Sequence, residues 1–148
     1  MNKKGFTLTE LLIVLAIITI LAMVSVPAYV GQQRSAARSE AFSNLQNLRL
    51  LEEQFFAENG RYTINLGACG ADNPGNVATI QTGGGDATNA LSGFIPGNGL
   101  NYSYCIEQNI ALAGGAQNPC FRASAFGNAG SRVAGDTFRI DCSNNRNF

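Results

Sequence analysis

The sequence predicts an α+β fold in which one long N-terminal helix packs on a small antiparallel β-sheet. Three patterns lead to this prediction. An apolar run begins after Glu10 and contains no charged side chain before Arg34. A helical, amphipathic pattern then continues to the pair Asn59-Gly60. After residue 100, three short segments alternate apolar and polar residues, as β-strands do.

The first half of the helix, residues 6–30, has the length and composition of a membrane span. A hydrocarbon core about 30 Å thick is crossed by roughly 20 helical residues, and the uncharged run exceeds that length. Pro27 lies near its end. Because proline removes a backbone donor and clashes with the preceding turn, we expect a kink or local melting at residues 25–27.

The second half of the helix, residues 31–59, is predicted to be amphipathic, with one apolar stripe facing the C-terminal domain. The stripe consists of Ala37, Ala41, Leu45, Leu48, Leu51 and Phe55. A second apolar set either broadens this face or contacts other copies of the chain. Its members are Phe42, Leu50 and Phe56. The charged residues are assigned to a solvated face. They are Arg34, Arg38, Glu40, Arg49, Glu52, Glu53 and Glu58.

Residues 60–148 are predicted to form a small globular domain. Residues 60–99 are rich in Gly, Asn, Thr and Ala and are expected to form a long loop. The three strand segments cover residues 100–106, 120–126 and 136–142, and Gly-rich turns separate them. We therefore expect an antiparallel meander that packs on the amphipathic half of the helix.

The four cysteines predict disulfides rather than a metal site. They contain no C-x-x-C pair, which argues against zinc or redox chemistry. The even number of cysteines and their wide spacing favour two disulfides formed outside the cytoplasm. Four cysteines can form two disulfides in three different pairings. Since the expected meander places three cysteines at one end of the sheet, we expect Cys105 to pair with Cys120 and Cys69 with Cys142.

Composition argues against an enzyme. Histidine is absent, and with it the commonest general base and metal ligand. No Ser or Cys lies in a nucleophile motif, and the Gly clusters do not form a phosphate-binding loop. We therefore expect no catalytic residue, metal or cofactor. The net charge is zero, so nucleic acid is not indicated as a partner. Four arginines near the C-terminus are interpreted as solvated sheet edges; these are Arg122, Arg132, Arg139 and Arg146.

The N-terminus indicates an unusual cleavage site. A secretory signal is normally cut after its apolar region, whereas here Gly5, beside the basic start, precedes that region. The stretch KKGFTLTELLIVLAII resembles the N-terminal signature of type IV pilins and pseudopilins. The resemblance implies that a membrane-embedded prepilin peptidase cleaves between Gly5 and Phe6, removes the leader of residues 1–5 and methylates the Phe6 amine. Pro27 matches the usual proline of the family.

Glu10 is the residue that physical chemistry singles out. After cleavage, the Phe6 amine has a reference pKa of about 7.7–8 and is largely cationic. Glu10 follows one helical turn later on the same face. Either charge alone in hydrocarbon costs at least about 2.5–3.5 kcal/mol. We expect the two groups to pair, within one chain or between stacked copies, where the pair would fix the axial register. The alternative is a carboxylate that only marks the membrane interface.

The resemblance implies a structural function. The expected product is a subunit of a type IV pilus, assembled through the helix, with Phe6, Glu10 and Pro27 as assembly residues. Partners would be other copies of the chain, the peptidase and the inner-membrane assembly machinery. The precursor would cross the inner membrane once, and the filament would lie outside the cell, where adhesion, motility or DNA uptake are open roles. The alternatives are a minor pilin and a pseudopilin of a type II secretion system.

Overall fold

The computed structural model describes residues 5–97, 101–112, 115–116 and 119–148. The chain divides into two compact units, Met1–Ala36 and Ala37–Phe148. Of the predicted leader, residues 1–5, only Gly5 is among the described residues. The expected strand start at residue 100 also falls outside them.

Helix α1 covers Leu8–Asn59 and contributes residues to both units. The prediction that it ends at Asn59-Gly60 is confirmed. Gly60 has a φ of +69°, and its backbone N–H donates to the Phe56 carbonyl at 2.8 Å. A glycine in the left-handed region closes the last helical turn without a Cβ clash.

The predicted loop of residues 60–99 contains regular structure. Helix α2 covers Asn76–Thr82, and 3₁₀ turns follow at Gly83–Gly85 and Ala87–Asn89. Asn76 anchors the segment because its amide donates to the carbonyls of Ala68 and Tyr104 at 2.8 Å each. A helix this short has little periodicity of its own, and its position depends on these contacts with other parts of the chain.

The sheet confirms the α+β prediction. Strands β1 (Tyr102–Gln108), β4 (Phe121–Gly127) and β5 (Thr137–Asp141) form an antiparallel sheet in the order β1-β4-β5. A two-stranded ladder of β2 (Ala111–Leu112) and β3 (Gly115–Ala116) lies in the connection between β1 and β4.

Both outer edges of the sheet are covered by the chain itself. On the β1 side, Leu66 and Ile106 exchange two backbone hydrogen bonds of 2.9 Å. On the β5 side, the segment after the strand turns back so that Arg146 lies opposite Ile140. The Asn147 side chain also accepts the Arg139 backbone N–H at 2.8 Å. Such contacts occupy edge groups that would otherwise be open.

The core lies between the sheet and residues 37–59 of α1. Of the predicted stripe, all but Leu51 are buried, and Leu51 is partly buried against the core. The members of the second apolar set have different environments. Phe42 stacks on Phe148 with ring centroids 4.5 Å apart and thereby broadens the core, whereas Leu50 is 64% exposed. Phe56 packs on Tyr62 at 4.7 Å, just beyond the helix end.

Two charged residues assigned to a solvated face are engaged in tertiary contacts. Glu52 is fully buried and accepts hydrogen bonds from the backbone N–H and the hydroxyl of Thr63. Arg38 holds Asp136 through two hydrogen bonds, of 2.7 and 2.9 Å. The Tyr102 hydroxyl donates to the same carboxylate at 3.1 Å. Both contacts tie α1 to distant parts of the second unit.

The predicted disulfide pairing is wrong. The bonds join Cys69 to Cys105 and Cys120 to Cys142, with Cα atoms 5.3 and 5.5 Å apart. The register explains the error. Cys105 lies opposite Ser124, four positions from Cys120 along the chain, or about 13 Å at the strand rise. That separation exceeds what a disulfide can bridge, about 7 Å between Cα atoms.

Candidate assembly site at the start of α1

The first turn of α1 is closed by a capping box. The Thr7 backbone N–H and hydroxyl donate to Glu10 Oε2 at 2.9 and 2.7 Å. In return, the Glu10 backbone N–H donates to Thr7 Oγ1 at 3.3 Å. This reciprocal pattern satisfies donors that a helix start leaves without partners. Thr7 is therefore a capping residue that the sequence predictions did not include, although T-x-x-E before an apolar run is its recognised signal.

Glu10 thus has a partner before any processing takes place. The amine expected to pair with it does not exist while Phe6 is bonded to Gly5, and cleavage would create it four residues from the carboxylate. Phe6 is 87% exposed. After cleavage, the new ammonium group would compete with Thr7 for Glu10 or share it, since a carboxylate accepts several hydrogen bonds.

The apolar side chains of residues 6–30 have no cover from their own unit. The exposed large apolar residues in this range are Phe6, Leu8, Leu11, Leu12, Ile13, Val14, Leu15, Ile17, Ile18, Ile20, Leu21, Met23, Val24, Val26, Tyr29 and Val30. They surround the helix on all sides. By length and composition, α1 could cross a membrane.

Polar groups inside the apolar segment are satisfied locally. The Thr19 hydroxyl donates to the Leu15 carbonyl at 2.7 Å, and the Ser25 hydroxyl donates to the Leu21 carbonyl at 2.8 Å. Such bonds to the preceding turn let hydroxyl groups lie in an apolar environment. The helix runs through Pro27 without a break, so the expected local melting does not occur in this structure.

The predicted site residues fall into two groups. Gly5, Phe6, Glu10 and Pro27 belong to the first unit, and the four cysteines belong to the second. Within the described ranges, no group of three His, Cys, Asp or Glu side chains could hold a metal ion. The chemistry that the first unit offers is a carboxylate at the entrance of an apolar helix.

Comparisons with known proteins agree with the geometry. Residues 1–26 match the model of the prokaryotic N-terminal methylation motif. The chain is 45% identical over 62 residues to a type IV major pilin protein, PilA, of Myxococcus xanthus, covering 42% of this chain and 28% of that protein. It is 40% identical over 67 residues to a type IV wide pilus major component, PilA4, of Thermus thermophilus, covering 45% and 51%.

A third relative belongs to another system. The type II secretion system core protein G of Pectobacterium carotovorum is 33% identical over 61 residues, 41% of this chain and 39% of that protein. The chain thus spans about half or less of the length of each of these three relatives. No solved structure matches it. The methylation motif, the long apolar helix and the aligned pilins make this chain similar to type IV pilins over its N-terminal part.

Proposed function

We propose that this chain is the precursor of a structural subunit of a type IV pilus. The observation that carries the proposal is the apolar surface of residues 6–30, exposed on all sides with one carboxylate at its start. A membrane can cover this surface in the precursor, and identical helices can cover it in a filament. The relatives named as pilus components support the second environment.

Processing is the first step of the proposal. A prepilin peptidase cleaves between Gly5 and Phe6 and methylates the new amine, while residues 6–30 hold the precursor in the inner membrane. The test is the mass of the mature N-terminus. Gly5→Leu should leave the intact precursor in the membrane. Gly31→Leu is the matched control, because both glycines have open space around the added side chain. Normal cleavage of the Gly5→Leu protein would contradict the site.

Assembly is the second step. The Phe6 ammonium group and Glu10 pair between stacked helices and set their register, because apolar surfaces alone would let the helices slide. The assembled filament lies outside the cell, and the inner-membrane machinery that builds it is the expected partner. Pro27 lies within an unbroken helix here, and its missing backbone donor makes it the place where we expect the helix to bend or melt in the filament.

Two variants of Glu10 separate its charge from its capping bond. Glu10→Gln keeps an acceptor for Thr7, since Gln also serves in a capping box, but it removes the charge. Glu10→Val removes both. We expect both variants to insert into the membrane and neither to form filaments visible by electron microscopy. Normal filaments from Glu10→Gln would show that capping, not charge pairing, is the role of Glu10. Thr7→Val tests capping alone and should still assemble.

A pseudopilin of a type II secretion system is the second candidate, favoured by the match to core protein G. The family resemblance implies a calcium site of C-terminal carboxylates for the major pseudopilin. In this chain Asp136 is engaged by Arg38, and Asp141 accepts backbone N–H groups of residues 143 and 145. We therefore expect calcium not to change the melting temperature. A rise on calcium titration would favour the pseudopilin. The amount of the chain in sheared filaments distinguishes a major from a minor pilin.

A further inference from the structure

A groove lies between the second half of α1 and the last residues of the chain. It has a volume of about 730 Å³, within the range of about 300–1,000 Å³ that is usual for ligand pockets. One wall comes from the helix and the other from the C-terminal segment. The helix contributes Phe42, Ser43, Gln46, Asn47 and Leu50, and the C-terminal segment contributes Arg146 and Phe148. The sequence analysis left open what Leu50 contacts, and in the structure its side chain lies at this groove.

The apolar part of the groove suits an aliphatic side chain better than a flat ring. Phe42 stacks on Phe148 with ring centroids 4.5 Å apart and an angle of 7° between the planes, so each ring already covers a face of the other. The Arg146 guanidinium lies over the Phe148 ring, 5.9 Å from its centroid. The ring edges and the exposed Leu50 side chain therefore remain as apolar surface, and an aliphatic group would bury it.

The groove also offers uncharged hydrogen-bonding groups. Ser43, Gln46 and Asn47 have no hydrogen-bond partner in the part of the chain that the structure describes. A side-chain amide both donates and accepts, as a peptide group does. The helical wall runs from residue 42 to residue 50, about 12 Å at 1.5 Å per residue. This length matches three to four residues of an extended peptide at about 3.3 Å each.

Arg146 gives the groove a positive charge. No acidic residue is among those that line the groove. Asp141 lies in a neighbouring cleft that Arg146 also lines, but within the described ranges the two form no ion pair. The Asp141 carboxylate instead accepts backbone N–H groups of Ser143 and Asn145. A guanidinium group beside an apolar surface is complementary to a carboxylate that lies next to an aliphatic side chain.

The described loops and strands of this chain do not present such a ligand to a second copy. The exposed loop carboxylates, Asp72 and Asp86, have only Ala, Asn or Gly beside them. The exposed loop residues Ile64 and Ile95 have no acidic neighbour in sequence. In the strands, the two isoleucines that precede an acidic residue are fully buried. The complementary peptide therefore belongs to a different protein.

We propose that this groove binds an extended peptide segment of another protein in which an aliphatic residue precedes a carboxylate. The aliphatic side chain lies against Leu50 and the edges of the two phenylalanine rings. Arg146 binds the carboxylate, and the amides of Gln46 and Asn47 bind the peptide groups. The proposal concerns a single subunit and does not depend on filament assembly.

The test is fluorescence anisotropy of a labelled peptide with blocked ends, Gly-Ser-Leu-Asp-Ser-Gly, titrated with the full chain in detergent micelles. Empty micelles are the blank, and a second peptide has Asn in place of Asp. The wild type should bind the Asp peptide about threefold to fivefold more tightly than the Asn peptide. Arg146→Gln should bring this ratio to about 1, whereas Arg139→Gln, a matched charge loss outside the groove, should leave it unchanged. Failure of the wild type to bind above the blank, or an unchanged ratio in Arg146→Gln, would overturn the proposal.

A second variant tests the apolar contact. Leu50→Gln should weaken binding of the Asp peptide about threefold or more and keep the preference for Asp over Asn. Leu50 is 64% exposed, so its replacement does not disturb folding. Equal binding of a peptide with Ser in place of Leu would show a simple carboxylate site and contradict the proposal. A change in oligomeric state of either groove variant without peptide, measured by analytical ultracentrifugation, would assign the groove to a second copy instead.

Discussion

We expect the buried Glu52 to make the stability of the second unit depend on pH. Burial raises the pKa of this carboxyl group, and the hydrogen bonds from Thr63 oppose the rise without cancelling it. Glu53, the next residue, adds to the rise through its negative charge. In the unfolded chain Glu52 titrates near its ordinary value of about 4.3.

The direction of this pH dependence follows from the linkage between proton binding and folding. A carboxyl group with a raised folded pKa binds its proton more tightly in the folded state, so stability is fully present below the unfolded pKa. It is lost as the pH rises through the window between the unfolded and folded pKa values. Each unit of difference lowers the free energy of unfolding by about 1.4 kcal/mol at pH values above both. We expect the second unit to be less stable at pH 8 than at pH 5.

Two substitutions of Glu52 measure this contribution. Glu52→Gln keeps an acceptor for the Thr63 N–H and removes the titration, so it should match the wild type within about 1 kcal/mol at pH 5 and exceed it at pH 8. Glu52→Leu leaves the N–H and the hydroxyl of Thr63 without an acceptor in a buried site. At about 1–3 kcal/mol for each donor, it should lose about 2–6 kcal/mol at pH 5.

The assay is urea unfolding of the full chain in micelles at both pH values, followed by the near-ultraviolet circular dichroism of the core tyrosines. Glu58→Gln is the matched control, because Glu58 is exposed on the same helix. Its stability should follow the wild type at each pH. If Glu52→Gln shows the same pH dependence as the wild type, the carboxyl group is not the source, and the reasoning fails.

Three further predictions concern the second unit. Asp136→Ala removes both hydrogen bonds from Arg38 and the one from the Tyr102 hydroxyl, and because the arginine is 41% exposed, we expect a loss of about 1–2 kcal/mol in urea unfolding; an unchanged midpoint would contradict it. Replacing Cys120 and Cys142 by Ser opens a loop of 22 residues and should cost about 3.4 kcal/mol, and peptide mapping without reductant checks the pairing. Burial raises the pKa of Tyr104 to about 12, so its ultraviolet titration step should occur there and vanish in Tyr104→Phe.

The predictions from sequence that were confirmed depend on local patterns. The helix, its end at Gly60 and the three main strands each follow from periodicity or turn chemistry within a few residues. The strand bounds agree within two residues at the ends that the structure describes. These signals are strong because the apolar stripe and the alternating strands bury the same faces that the patterns mark.

Where the predictions from sequence were wrong, the structure is determined by contacts between residues that are far apart in the chain. Glu52 lies beside the apolar stripe, and only the return of the chain at Thr63 makes a buried carboxylate tolerable. The disulfide partners depend on strand register and on the path of residues 60–76, which brings Cys69 beside Cys105. No local pattern contains this information. Thr7 differs, because its capping signal, T-x-x-E before an apolar run, is local and is present in the sequence.

The covered edges of the sheet bear on how copies of this protein can crowd together. A strand with open backbone groups is a template onto which another chain can add, and the addition can continue without limit. Here residues 65–66 occupy one rim and residues 145–147 the other. At these two rims, another copy of the chain would find backbone groups that are already occupied, so strand addition there is disfavoured even at high local concentration.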